Sequence, residues 1–160
     1  MSPLGRDNLR ALVIAGSDGD SYGKMTVFSF PRGQQVFGPS QISALINQDT
    51  EIAQEITLWD QAGSEVRFGR VLMLPVKKNI LYVQPVYIRS ATRLKIPELK
   101  RIIVSQGEIV AMDRTIEEAL QKLENKIRDR NERIQRRLPM SPENKEEQPA
   151  TSGHAAPESS

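Results

Sequence analysis

Few of the residue types that drive enzyme chemistry occur in this chain. It contains no cysteine, and its one histidine, His154, stands in a C-terminal stretch without any aromatic residue, Val, Ile or Leu. Ser–His and Cys–His nucleophile systems need a base held in a folded site, so neither is available here. Thiolate metal sites and disulfides are excluded as well. We therefore expect no catalytic residue, no cofactor and no metal, and predict that the chain is not an enzyme.

The first glycine-rich loop, residues 16–24, holds the remaining candidates for chemistry. Ser21 and Lys24 have the spacing of a serine nucleophile and a lysine base, but that pair needs a helix start to hold both side chains together. Asp18 and Asp20 could offer oxygens to Ca²⁺ or Mg²⁺, or bond to backbone in a turn. The glycine spacing is not that of a phosphate-binding loop. We favour a structural turn, with a cation site as the alternative.

Four other residues are candidates for contacting a ligand or partner: Asn47, Gln48, Asp49 and the single tryptophan, Trp59. The first three join two apolar helical stripes, where polar side chains could orient a ligand. Asp49 could equally accept hydrogen bonds from the free N–H groups at the start of the second helix. Trp59 lies on the apolar face of that helix, which favours core packing over stacking on a ligand.

A basic segment, residues 126–137, contains six Lys or Arg residues and two Asp or Glu residues. One interpretation is a surface for nucleic acid or anionic lipid headgroups. The other is a solvated helix end with pairs such as Asp129/Arg133 and Glu132/Arg136. No aromatic residue is interleaved to stack on a base, so we predict no nucleic-acid partner. We favour the solvated helix end and keep lipid headgroups as the alternative.

The elements that must position these residues follow from apolar periodicity and turn residues. A capping box of Thr115 and Glu118 predicts the start of the longest helix. Its buried face comprises Ile116, Ala119, Leu120, Leu123 and Ile127. Strands are predicted over 9–15, 25–30, 35–37, 66–76, 80–88, 101–105 and 109–113, and helices over 39–47, 50–61 and 115–138.

This order predicts one α+β domain over residues 1–138, with antiparallel β-hairpins packed against two short helices and a longer C-terminal helix. Residues 139–160 contain four Pro and four Glu and too little apolar surface to order, so a disordered tail is expected. The longest apolar run, residues 71–76, is far shorter than the roughly 20 residues of a membrane span. The first residues lack the apolar centre of a signal peptide. This segment is expected neither to span a membrane nor to direct its own export.

Several unusual blocks occur in a distinctive order: 36–42 (VFGPSQI), 46–52 (INQDTEI), 57–64 (TLWDQAGS), 69–76 (GRVLMLPV), 81–88 (LYVQPVYI) and 97–104 (PELKRIIV). In these blocks the chain closely resembles the C-terminal soluble region of uncharacterised protein family 0182, a group of large bacterial multi-pass membrane proteins. The resemblance covers roughly residues 3–125. The long helix beyond Leu123 and the tail depart from the family pattern.

The resemblance implies that the chain is a terminal fragment of a protein several times longer. Its membrane-spanning helices would come first, in the bacterial cell membrane, and this domain would lie on the extracytoplasmic side. The membrane-spanning part of the parent protein is then the expected partner. The family has no established activity or site residues to carry over. The expected function is a non-catalytic module for assembly or partner binding, and the alternative is a solute-binding or gating part of a membrane transporter.

Overall fold

The structure is a computed structural model that describes residues 8–90 and 96–137. Those residues form a mixed α+β fold with antiparallel strands, as the sequence predicted. In chain order the elements are β1 (Ala11–Ala15), β2 (Met25–Ser29), α1 (Pro39–Gln48), α2 (Thr50–Gln61), β3 (Ser64–Phe68), β4 (Leu72–Val76), β5 (Asn79–Ser90), β6 (Glu98–Gln106), β7 (Ile109–Asp113) and α3 (Ile116–Arg137). The predicted tail, residues 139–160, lies outside the described residues.

The larger sheet is organised around β5, which pairs with β6 on one side and with both β3 and β4 on the other. β7 pairs with the far side of β6, and β1 and β2 form a separate two-stranded sheet. All of these pairings are antiparallel, and two-residue turns join β4 to β5 and β6 to β7.

A break at Gly69 separates β3 from β4, so the prediction of one continuous strand over 66–76 was wrong. The Gly69 N–H donates to the Pro85 carbonyl at 2.8 Å. A Cβ at this position would lie 2.6 Å from the ring of Pro85, too close for any residue but glycine. Pro85 cannot donate a ladder hydrogen bond, so a proline in the central strand β5 is accommodated beside this interruption.

Both faces of the larger sheet are covered over the central strands. Alternate side chains of each strand point to opposite faces, so each face has its own set of buried residues. One face packs against α1, α2 and the β1–β2 sheet through Ile42, Ile46, Ile52, Tyr82, Val86 and Ile103. The other packs against α3 through Val83, Val104, Ala111, Ala119 and Leu123. The predicted buried face of α3 is therefore confirmed.

The helix boundaries follow the predicted start signals closely. Pro39 is the first residue of α1, where its missing N–H leaves no helical hydrogen bond unmade. The Thr115 hydroxyl oxygen accepts from the Glu118 N–H at 3.2 Å and so starts α3. The predicted strand over 35–37 was wrong: its only ladder contact in the described part of the chain is a bridge between Phe37 and Asn8.

Candidate functional site

The residues of the first loop form a local turn. Gly19–Ser21 is a single 3-10 turn, and the Ser21 hydroxyl donates to the Asp18 carbonyl at 2.6 Å. The Ser21 hydroxyl is therefore engaged by local backbone. Lys24 begins no helix: its N–H closes a turn onto the Ser21 carbonyl at 3.0 Å, and strand β2 begins at the next residue. This geometry supports the structural interpretation of the loop.

The four predicted ligand candidates do not converge. Asn47 and Gln48 are exposed, while Asp49 caps α2 by accepting from the Ile52 N–H through Oδ1 at 3.1 Å. Trp59 lies ten residues further along α2, which is about 15 Å of helix. The capping interpretation of Asp49 thus has a specific contact in its support.

Trp59 connects α2 to the sheet. Its ring is partly buried against the core that α1 and α2 form with the sheet. The Arg101 guanidinium lies over the ring, 5.3 Å from its centre. The Arg101 Nε atom is also 3.1 Å from Glu55 Oε2, one turn earlier in α2. Because Arg101 is largely buried between a carboxylate and an aromatic face, the contact fixes α2 on β6. The sequence pattern predicted the packing of Trp59 but not its cation.

A second cluster joins α2 to α3 across the outer edge of β7. Glu51 forms ion pairs with Lys122 and Lys126, and the pKa of Glu51 is lowered mainly by the hydrogen bond from Lys122. Lys126 Nζ also donates to the Val110 carbonyl at 2.9 Å, and Lys122 Nζ lies 3.4 Å from the Met112 carbonyl. The two amines therefore occupy carbonyls on the outer edge of β7. Their i, i+4 spacing on α3 was the only sequence signal for this arrangement.

An apolar strip on β4 is left uncovered. The strip comprises Leu72, Leu74 and Val76, whose side chains are 54%, 44% and 47% exposed. The register pairs Leu72 with Val83 and Leu74 with Leu81, so the strip lies on the face of the sheet that α3 covers. α3 passes over β5, β6 and β7 but stops short of this edge strand. The result is a row of aliphatic side chains beside the helix.

The β1–β2 sheet also carries an uncovered apolar face. Its inner side packs on the core through Leu12, while Val13 and its cross-strand partner Val27 point outward and are 44% and 59% exposed. Met25, on the same outer side, is 74% exposed. A two-stranded sheet with apolar side chains on both sides is typical of an element that packs between two layers.

Two open cavities flank the β4–β5 turn. The larger, about 490 Å³, lies between β2 and the turn and is lined by Val27, Phe28, Ser29, Phe30, Pro31, Gln34, Pro75, Lys77, Lys78 and Asn79. The smaller, about 280 Å³, lies between the turn and α3, with Val76, Leu81, Leu120 and Ile127 among its walls. Gln34 Nε2 reaches the Lys78 carbonyl at 3.4 Å, which links the 31–34 turn to the hairpin.

Neither a membrane span nor a metal centre is found among residues 8–90 and 96–137. None of the helices there combines the length and apolar character needed to cross a bilayer. The same ranges contain no cluster of three or more His, Cys, Asp or Glu residues arranged to hold a metal ion.

Comparison with known proteins shows what kind of protein carries this domain. Residues 1–59 match the model of the Uncharacterised protein family (UPF0182). A UPF0182 protein of Syntrophobacter fumaroxidans is 58% identical over 146 residues, covering 89% of this chain and 17% of that protein. UPF0182 proteins of Nitrosococcus oceani and Pelobacter propionicus are 46% and 49% identical, covering 77% and 76% of this chain and 14% of each protein. No solved structure matches the chain.

The relatives are thus much longer proteins, of which this chain spans between 14% and 17%. The chain belongs to the Uncharacterised protein family (UPF0182), as the sequence blocks predicted.

Proposed function

We propose that the chain is a non-catalytic docking module at the C-terminal end of a longer bacterial membrane protein, on the extracytoplasmic side. The β4 strip carries the proposal: Leu72, Leu74 and Val76 stay half exposed at the edge of a sheet whose central strands are covered on both faces. The outer face of the β1–β2 sheet supports it. Because the relatives are far longer than this chain, the rest of the polypeptide can supply the missing cover.

The energy available is sufficient to hold two parts of one protein together. Covering a half-exposed Leu or Val side chain stabilises a contact by about 1 kcal/mol. The strip and the outer face of the β1–β2 sheet present six such side chains between them, and their contributions add, so that two separate polypeptides can also associate.

Separating the two parts tests the proposal. The chain and the remainder of the longer protein would be expressed as two polypeptides, and their association measured by co-purification from detergent-solubilised membranes. We expect Leu74→Lys to abolish co-purification, because a charged side chain cannot be buried in an apolar contact without a partner. The thermal unfolding midpoint of the isolated chain should hardly change, since Leu74 is 44% exposed.

The matched control is Leu58→Lys on α2, where the side chain is 63% exposed and lies outside the strip. This variant should co-purify like the wild type. Undiminished association of the Leu74→Lys variant would contradict the proposal, as would equal losses in both variants.

A second candidate function, solute binding or gating for a membrane transporter, is favoured by the cavity of about 490 Å³ beside β2. Its wall combines apolar rings with the polar groups of Gln34, Lys78 and Asn79, a composition suited to a small polar solute. Under this function, Asn79→Leu in the longer protein should reduce solute uptake by membrane vesicles while co-purification stays intact. The docking function predicts unchanged uptake.

A further inference from the structure

One end of the molecule gathers basic side chains from three separate elements. The β4–β5 turn carries Lys77 and Lys78, and the 31–34 turn, joined to it through Gln34, carries Arg32. The β6–β7 turn lies at the same end, because β4, β6 and α3 all run toward it. We call this region the basic end, and it comprises Arg32, Lys77, Lys78, Arg128, Arg130, Arg133, Arg136 and Arg137.

The second half of α3 extends beyond the sheet at this end. The helix has 22 residues, about 33 Å, whereas the five residues of β7 beneath it span about 17 Å. Arg130 Nη2 lies 2.9 Å from Glu108 Oε2 in the β6–β7 turn, which marks where the helix passes the last strand. Every residue from 128 to 137 is exposed. The basic helix end therefore projects away from the core that holds the first half.

Most of these cations have no carboxylate partner. In the described part of the chain, Arg130 pairs with Glu108 and Arg136 lies 3.8 Å from Glu132, but the other six form no ion pair. Among the described residues of this end, eight cations face four carboxylates: Glu108, Glu124, Asp129 and Glu132. The excess of positive charge is therefore concentrated, although the whole chain carries a formal charge of only +2.

The β4–β5 turn carries a lysine at a position where the backbone conformation suits other residues better. Lys77 has φ 54° in a two-residue hairpin loop between Val76 and Asn79, where glycine or asparagine is the usual residue. A lysine at this point keeps an ammonium group at the tip of the hairpin. Its neighbour Lys78 adds a second one.

Aliphatic side chains stand among the cations. Ile134 is 50% exposed on the projecting helix, and Val76 is 47% exposed beside Lys77. Exposed aromatic side chains, which would stack on bases, are absent from the described residues of this end. Cations interleaved with aliphatic side chains match the headgroup boundary of a bilayer better than a nucleic acid.

We propose that the basic end binds the surface of a bilayer that contains anionic phospholipids. The projecting half of α3 lies along the headgroups, Ile134 enters the acyl boundary, and Lys77 and Lys78 contact lipid phosphates from the hairpin. The inference does not rest on the docking function, because the eight cations and Ile134 all lie outside the β4 strip and Val76 is the one strip residue beside them.

Vesicle binding by the full 160-residue chain tests this. We expect sedimentation with vesicles of phosphatidylcholine and phosphatidylglycerol at 0.1 M salt, little binding to phosphatidylcholine alone, and release as salt rises. Each lysine or arginine at an anionic surface contributes roughly a fivefold change in partitioning. The double variant Lys77→Gln/Lys78→Gln should therefore lose on the order of 25-fold, and so should Arg133→Gln/Arg137→Gln.

The matched controls lie at the opposite end of the sheet. Lys100→Gln/Arg114→Gln removes the same charge and should bind like the wild type. Ile134→Ser at the basic end should bind several-fold more weakly than the wild type. Ile96→Ser, at an exposed isoleucine of the opposite end, should not. Equal losses in the 77/78 and 100/114 variants would overturn the proposal by showing a net-charge effect. Tighter binding to a 20-base-pair DNA duplex than to anionic vesicles would overturn it in favour of nucleic acid.

Discussion

The hydroxyl of Tyr82 shows how a single buried polar group ties distant segments together. Tyr82 is 3% exposed, and its hydroxyl donates to the Phe37 carbonyl at 2.6 Å. Burial raises the pKa of this phenol to about 12. The hydrogen bond links the central strand β5 to the segment that leads into α1.

Tyr82→Phe should destabilise the domain by about 1 kcal/mol, because the Phe37 carbonyl loses a donor in a buried setting. Urea unfolding at pH 8 measures the change. Tyr22→Phe is the control, since Tyr22 is 78% exposed and should change stability little.

The same pair of variants tests the pH dependence. The folded pKa of Tyr82 lies above its ordinary value of 10.0, so its contribution is complete below about pH 10 and is lost as pH rises toward 12. The wild type should therefore lose more stability between pH 10 and 12 than Tyr82→Phe. An identical alkaline loss in both proteins would show that the phenol is not buried as described.

Residue-scale features were predictable where they are local. Asp49 and Thr115 cap helices that begin at the next residue, so a short sequence pattern was enough to identify them. The contact between Glu51 and Lys122 joins residues 71 positions apart, and Arg101 meets Trp59 across two elements. Such contacts depend on how elements pack, which a local pattern does not contain.

At the scale of elements, α3 has two halves with different roles. Leu123 is 2% exposed against the sheet, whereas Ile134 is 50% exposed on the projecting half. The sequence pattern predicted a buried face that ends at Ile127 and favoured a solvated helix end beyond it, and the exposure of every residue from 128 to 137 agrees with both. The break between β3 and β4 was missed, because the close approach of Pro85 to Gly69 arises from strand pairing and not from a local pattern.

Replacing a large side chain by alanine should cost much more stability in the first half of α3 than in the second. Leu123→Ala should destabilise the domain by about 2 to 4 kcal/mol through lost burial and a cavity, while Ile134→Ala should cost less than about 0.5 kcal/mol. Thermal unfolding followed by circular dichroism gives both values. Comparable losses in the two variants would mean that the second half of α3 packs against something in the isolated chain.

At the scale of the whole molecule, stability is distributed unevenly between the two sheets. β5 and β6 are central strands with helices on both faces, whereas β1 and β2, within the described ranges, pair only with each other and expose one apolar side. The α+β class and most hairpins followed from periodicity. The meeting of β5 with β6 did not, because it depends on the fold rather than on a tight turn.

Hydrogen exchange should reveal this difference. We expect the amides of β1 and β2 to exchange through a partial opening of lower free energy than the global unfolding that exposes β5 and β6. Mass spectrometry of peptides covering 11–29 and 79–106 can measure both. Equal protection of the two sheets would contradict this distribution. Slower exchange at 11–29 in the presence of the rest of the longer protein would indicate cover for its outer face.

The lysines along β7 also limit how this protein can associate with itself. Lys122 and Lys126 already occupy carbonyls on that side of the larger sheet. An incoming strand would have to displace both amines and break their ion pairs with Glu51. Among the described residues, the edge left open to such an addition is the opposite one, formed by β3 and β4. A sheet that can grow from one side alone pairs with a single neighbour and then stops. Any strand-mediated self-association of the larger sheet should end at a dimer and never extend into a fibre.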